Sequence, residues 1–254
     1  MKPGEFIIDG VSSADSNVWI QSRPVINGPT RRVEYVQSFQ MDGDLPFDDE
    51  AYNNTELSLS LASIPPGSFL PKAGDIETVN KARQTIYSMF DSGEYRDAQF
   101  YFDPNKIYHV MPTEEQYETK RFLNAAMAVS ITLSVLPWKH LIGYPKHQIS
   151  SGVKLQNPTG KIARPIITVT GTGDMILTMN SRSFTMKGIA GSIVLDCDAE
   201  SAYTVTTNGT IASNQNDKVY TRAYPYLDSG NTSVSWTGTG ITKVEIEERW
   251  RTLI

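Results

Sequence analysis

Glu56-Leu57-Ser58-Leu59-Ser60-Leu61 alternates polar and apolar residues without a break. Side chains of an extended strand point to its two faces in turn, so Leu57, Leu59 and Leu61 share one face and the polar residues share the other. This is the pattern of a half-buried strand. It sets the class of the first half of the chain, and its neighbours agree. Upstream, Phe6-Ile7-Ile8 is a short apolar run closed by Asp9-Gly10, and Val18-Trp19-Ile20 follows. Pro24-Val25-Ile26 meets the turn signal Asn27-Gly28-Pro29. Residues 32–39 alternate with period two, as a half-buried strand would, before Asp42-Gly43 breaks the chain. Asp-Gly and Asn-Gly tolerate the positive φ angles that hairpin turns need.

Downstream, Pro65-Pro66-Gly67 ends the block and the period changes. Ile76, Val79, Ala82, Arg83, Ile86 and Phe90 recur at three-to-four spacing. This predicts one amphipathic helix over 75–90, with Asp75 as N-cap and Gly93 as a stop just beyond its end. Its apolar stripe should lie on a sheet. Residues 98–110 read as strand, turn, strand, with Asp103-Pro104-Asn105-Lys106 as the turn because Pro suits its second position. Residues 122–136 are apolar and end in alternation, Val129, Ile131, Leu133 and Val135 sharing a face, which predicts a further strand.

From Pro137 to Pro165 the pattern loosens, punctuated by Gly143, Pro145, Ser150-Ser151-Gly152, Asn157-Pro158 and Gly160. A length of 254 residues admits one large domain or two ordinary ones. The loose segment divides the chain into 1–140 and 141–254. The second part reads as short strands at 166–170, 175–179, 183–187, 191–197, 203–205, 232–236 and 243–247, with no helical period. Short strands at close spacing predict a β-sandwich. The fold class is thus mainly β with one helix.

Hydrophobic residues make up 39% of the chain, and the 18 glycines bring it to the level of a globular protein. The net charge of −5 argues against gripping a phosphate backbone, which takes clustered Lys and Arg. It is compatible with nucleic acid sliding past a mildly acidic wall. The longest apolar stretch, near 125–136, is interrupted by Ser130, Thr132 and Ser134. It is too short for a membrane span of ~20 residues. Residues 1–10 lack a basic region followed by an apolar run, so the reading is synthesis in a cytoplasm without a secretory signal.

Cys197 is the single cysteine, in the strand-like context Ser192-Ile193-Val194-Leu195-Asp196, and reads as a small buried apolar residue. His109, His140 and His147 have no carboxylate or thiol at ligand spacing, and zinc needs at least three ligands. Gly171-Thr172-Gly173 hints at a phosphate loop, but no helix follows it, so it reads as a β-turn between two strands. Acidic residues cluster at Asp42, Asp44, Asp48, Asp49 and Glu50, and again at Asp196, Asp198 and Glu200. A glycosidase needs paired carboxylates across a cleft, and calcium needs several oxygens. Both clusters read instead as solvated strand ends. Trp19, Trp138, Trp236 and Trp250 read as core or interface anchors rather than sugar platforms. No catalytic, cofactor-binding or metal residue is expected, and no enzyme activity; a protein of this size without a site works through its surfaces.

Two sets of motifs carry a family resemblance. The second half contains Asn157-Pro158-Thr159-Gly160, then Arg164-Pro165-Ile166-Ile167-Thr168-Val169-Thr170-Gly171-Thr172-Gly173, then Gly191-Ser192-Ile193-Val194-Leu195-Asp196-Cys197-Asp198. Ala202-Tyr203, Tyr224-Pro225-Tyr226-Leu227-Asp228-Ser229-Gly230-Asn231 and Val244-Glu245-Ile246-Glu247-Glu248-Arg249-Trp250-Arg251 follow. The first half adds Arg32-Val33-Glu34-Tyr35 through Asp42-Gly43, the single helix, and Phe100-Tyr101-Phe102-Asp103-Pro104-Asn105-Lys106-Ile107-Tyr108-His109. In order and spacing, the chain resembles the distal tail proteins (Dit) of long-tailed, siphovirus-type bacteriophages, in the short form without carbohydrate-binding insertions.

The resemblance implies an N-terminal β-rich belt domain that forms a hexameric ring, and a C-terminal galectin-like β-sandwich. It implies a structural hub of the phage tail tip or baseplate. Its partners would be the tail tube protein, the tail fibre or tail-lysin protein, and receptor-binding or baseplate proteins, with rings possibly paired. DNA would pass through a central channel during genome ejection without specific binding, and the place of work would be the virion, with no membrane insertion. The strands up to about Leu61 and the helix are the expected subunit contact. The competing reading is a lectin-like module that recognises host cell-surface glycans; a cell-wall hydrolase is the third.

Overall fold

The computed structural model describes residues 1–64, 76–113, 118–121 and 126–254, and within the helix the side chains of 76, 78, 79 and 82 are not described. Pro65-Pro66-Gly67, the proposed N-cap Asp75, and Phe122 therefore lie outside the described residues. The chain divides into two units, Met1–Lys139 with Leu253–Ile254, and His140–Thr252.

The first unit holds β1 (Phe6–Ile8), β2 (Val11–Ser12), β3 (Val18–Ile20), β4 (Arg31–Gln37), β5 (Asp44–Tyr52) and β6 (Thr55–Ser63). The helix α1 (Ile76–Phe90) follows, then β7 (Arg96–Phe100), β8 (Asp103–Pro112), β9 (Glu118–Arg121) and β10 (Met127–Val135). Its main sheet runs β2-β1-β7-β8-β10-β6-β3, with β9 beside β10. The alternating strand is β6. It pairs along its full length with β10, Leu57 opposite Leu133, Leu59 opposite Ile131 and Leu61 opposite Val129. These six side chains are all buried. Each fully buried Leu or Ile contributes roughly 1.5–3 kcal/mol over its exposed state.

The helix covers that face through Ile86 and Phe90, one turn apart and both buried in the same core. Phe90 stacks on Phe6 with ring centroids 5.8 Å apart. Arg83, placed on the apolar stripe by its spacing, is exposed. Gly93 does not take the left-handed conformation of a helix stop.

The turn expected at Asp103-Pro104-Asn105-Lys106 is not there. Those residues open β8, and the reversal is Tyr101-Phe102, with Phe100 opposite Asp103. Aromatic packing outweighs the turn chemistry: Phe102 stacks on Phe100 at 5.1 Å and lies edge-on to Tyr108 at 6.4 Å. Asp103 accepts from the Tyr108 hydroxyl at 2.8 Å and from Lys139 Nζ at 2.7 Å, which ties the start of β8.

The chain leaves the first unit within β11 (Trp138–Leu141). The second unit holds β12 (His147–Ile149), β13 (Val153–Gln156), β14 (Ile166–Met179), β15 (Arg182–Asp196), β16 (Ser201–Val205), β17 (Ile211–Asn214), β18 (Asn231–Thr237) and β19 (Ile241–Glu247). β20 (Arg251–Leu253) returns the chain to the first unit. The strand order is β12-β19-β14-β15-β16-β17, and β18 bridges β14 and β13.

Where the sequence suggests pairs of short strands, the structure has two long ones. Gly171-Thr172-Gly173 is not a turn; it lies inside β14, and Gly188 lies inside β15. Ladder irregularities between Thr170 and Gly171 and between Gly173 and Met175 mark the bend. Before it β14 pairs with β19, and after it with β18. A strand that bends and changes partner lets one sheet curl over itself, which makes a sandwich whose layers share a hairpin. Ile167 and Val169 before the bend, and Leu177 and Met179 after it, all enter one core with Phe184, Leu195, Ile246 and Trp250.

Candidate assembly interface

The strand pair β4–β5 belongs to neither main sheet. Its ladder runs from Arg31 opposite Tyr52 to Gln37 opposite Asp44, so it forms a two-stranded arm. The sequence suggests that this first strand is half-buried; instead Val33 is its single partly covered residue and the rest is exposed. The second strand, β5, was hidden in the sequence by its acidic residues and Pro46, which suggest a loop.

The arm is held at its base by charge. Arg31 Nε donates to Asp48 Oδ2 at 2.7 Å, and the Arg31 guanidinium lies 5.6 Å from the centre of the Tyr52 ring. Arg32 pairs with Asp49 at 3.0 Å. The Arg31 hydrogen bond holds the Asp48 carboxyl below its ordinary pKa, helped by the Glu50 amide. Asp48 Oδ1 accepts from the Glu50 amide and Asp49 Oδ1 from the Ala51 amide, which shapes the bend at the end of the arm. The acidic run 42–50 is therefore partly neutralised by β4. A cleft of about 480 Å³ lies here, lined by Arg31, Arg32, Phe47, Asp48 and Asn53 among others, in which the two arginines are engaged with Asp48 and Asp49.

Toward the tip the arm is apolar on both faces. Val36 faces Leu45 across the ladder, Phe47 faces Glu34, and Tyr35 faces Pro46. Tyr35 is 67% exposed, Phe47 59% and Phe39, in the connecting turn, 90%. A monomer gains nothing from large apolar side chains on a thin ribbon in water. Contiguous exposed apolar surface of this kind marks an interaction site. Sequence signals for it exist in retrospect: residues 33–47 place apolar side chains at both odd and even positions, so no single core face could take them all.

The other candidate residues are spread through the fold. His109 Nδ1 lies 2.8 Å from Asp97, and His147 Nε2 lies 3.6 Å from Glu248. Among the described residues no three His, Cys, Asp or Glu side chains converge on a point that could hold a metal ion. The cluster at 196–200 is met by arginines: Asp196 by Arg249 at 3.6 Å, Asp198 by Arg251 at 3.5 Å, Glu200 by Arg164 at 3.2 Å. Cys197 is buried, and desolvation pushes its thiol pKa far up. Trp250 is buried with Tyr144 edge-on at 6.4 Å, and Trp138 meets Tyr52 edge-on at 5.6 Å. No described helix is long and apolar enough to cross a membrane.

No protein-family model matches the sequence, and no curated protein is significantly similar to it. Among solved structures, the chain is similar to the SPP1 Dit protein (gp 19.1), which is described as a paradigm of the hub adsorption apparatus in phages that infect Gram-positive bacteria. The match has a TM-score of 0.66 and covers 98% of this chain and 99% of that one, at 14% sequence identity. At that coverage both units take part in it, and the fold of this chain is the Dit fold.

Proposed function

We propose that this chain is a structural hub protein of a phage tail tip. Six copies form a ring that joins the tail tube to the tail fibre or lysin and to receptor-binding proteins, with a central channel for DNA. The observation that carries the reading is the end-to-end match to the SPP1 hub protein, without large insertion on either side. The first unit supplies the ring and the second, a β-sandwich, supplies the docking surface for tail-tip partners. The β4–β5 arm is the subunit contact. A ring repeats one heterologous contact until it closes, and an arm with apolar side chains and free strand edges is suited to pair with a neighbouring copy. The net charge of −5 suits a channel that must not retain DNA. The protein then works in the virion, after synthesis in the host cytoplasm.

The test is the mass of the purified chain by light scattering with negative-stain imaging. Six times 28.2 kDa is about 169 kDa. Ring-shaped particles of that mass, or of twice that mass, support the hub. A chain that stays monomeric at high concentration, both alone and with the tail tube protein, argues against it, and glycan binding by that monomer would favour the lectin.

A further inference from the structure

Glu248 is 5% exposed, yet its carboxyl oxygen Oε2 is buried without a hydrogen-bond partner. Glutamate is almost never buried this way unless something compensates for it. The other oxygen, Oε1, lies 3.6 Å from His147 Nε2. The opposite ring nitrogen, Nδ1, lies 3.2 Å from the carbonyl oxygen of Pro145. A carbonyl oxygen can only accept, so Nδ1 carries a ring hydrogen, and without a second one Nε2 turns a bare lone pair toward Glu248. An ionised carboxylate would then face that lone pair at Oε1 while Oε2 stays buried without a donor. A protonated Glu248 removes the conflict, because its hydroxyl can point at Nε2. Burial, the largest cause, raises the Glu248 pKa, and the neighbouring Glu247 adds to the rise; its own backbone amide and His147 oppose it.

The pair sits where a strand is weakly held. His147 opens β12, an edge strand of three residues whose ladder runs to β19, with His147 opposite Ile246. Of the other charges at this corner, Glu245 pairs with Lys146 at 3.7 Å and Lys243 at 2.8 Å, Arg249 pairs with Asp196 at 3.6 Å, and Glu247 is half-buried beside Glu248. His147 is 45% exposed at its side chain, so protons reach the pair from solvent.

We propose that Glu248 and His147 form a one-proton clasp that fastens β12 to β19, and that β12 lifts from the sheet as pH rises and the proton leaves. Lifting β12 bares the edge of β19. The sign follows from linkage. An unfolded glutamate gives up its proton near about 4.3, and the folded one holds it to higher pH. The clasp's contribution is therefore complete below that unfolded value and is lost as pH rises through the folded value.

The experiment is hydrogen exchange by mass spectrometry on the whole chain between pH 5.5 and pH 8.5, corrected for the intrinsic exchange rate and read on the peptide covering residues 147–149. In the wild type, opening of that peptide should rise with pH, by up to about tenfold per pH unit for as long as the closed strand holds the one proton that the open strand gives up. In Glu248→Gln, whose amide mimics the protonated acid, opening should stay flat. In His147→Phe, which removes the acceptor, the strand should be open already at the low end. Equal pH dependence in the wild type and Glu248→Gln overturns the clasp, as does a β12 peptide equally closed at both ends of the range in the wild type. Should Glu248→Gln fail to fold, His147→Phe decides: a wild-type exchange profile there also overturns it.

Discussion

The amide of Thr172 donates to the carbonyl oxygen of Gly240 at 3.0 Å, and a methyl group on Gly240 would stand 2.5 Å from the carbonyl oxygen of Thr172. The two backbones touch at the point where β14 gives up β19 and takes β18. Gly240 also has a φ of 94°, which other residues rarely adopt. Contact and conformation both demand glycine here. The variant Gly240→Ala should lose at least about 2 kcal/mol, from overpacking against backbone and from strain. Denaturant unfolding of the purified protein measures it, and a loss under about 0.5 kcal/mol would show that the crossing can open.

Leu59 lies opposite Ile131, in the middle of the first core. Leu59→Ala should cost about 2–5 kcal/mol, from lost burial and the cavity left behind. The double variant Phe39→Ser with Phe47→Ser should change the stability of the isolated chain by no more than about 0.5 kcal/mol, since both side chains are exposed. It should nonetheless move the light-scattering mass toward 28.2 kDa. A double variant that still assembles fully would remove the arm's apolar tip from the subunit contact.

Asp228 accepts from Arg182 at 2.9 Å and from the Asn180 amide, and the Arg182 hydrogen bond holds its carboxyl below the ordinary value. A depressed carboxyl stabilises the fold above the unfolded aspartate value of about 3.9, and that stability is lost as pH falls through the lower folded value. Asp228→Asn should therefore be less stable than wild type at pH 7, with the gap closing toward pH 2.5. Melting curves across this range provide the check; a gap that does not narrow in acid would assign the loss to packing.

Cys197 is 1% exposed and its thiol is kept protonated by burial. The thiolate is the reactive form. A thiol reagent at pH 8 should label almost none of the native protein and one site per chain in denaturant. Rapid labelling of the native state would mean that the core of the second unit opens on its own.

What the sequence revealed depended on whether one partner controlled each residue. Leu57, Leu59 and Leu61, and Val129, Ile131, Leu133 and Val135, alternate because a single core takes one face and water the other; both strands were legible, as was the helix carrying Ile86 and Phe90. Tyr101-Phe102 was not legible as a turn. Its stability comes from Phe100 and Tyr108, and local turn chemistry at Asp103-Pro104 pointed elsewhere. Gly171-Thr172-Gly173 was misread for a similar reason. The glycines admit the backbone of Gly238-Thr239-Gly240, far along the chain, and only the pair of Gly-x-Gly segments together signals a crossing. The N-terminal strands were marked as the contact region, but Asp44, Asp48 and Asp49 hid the second strand of the arm. The neutralising partners of Asp48 and Asp49, Arg31 and Arg32, sit across a hairpin rather than beside them.

The last two residues, Leu253 and Ile254, belong to the first unit, where Ile254 packs against the core and its amide donates to the Pro137 carbonyl at 3.2 Å. The chain thus enters the second unit and comes home again, which makes that unit an insertion within the first. Subcloning at the junction would not yield two clean halves. A fragment stopping at Lys139 would be missing its own closing piece, and restoring it would require either a short linker from Lys139 straight to Leu253 or the missing dipeptide grafted elsewhere. By the same token, a sandwich of different origin could be exchanged between those two points while the first unit kept every residue it folds with.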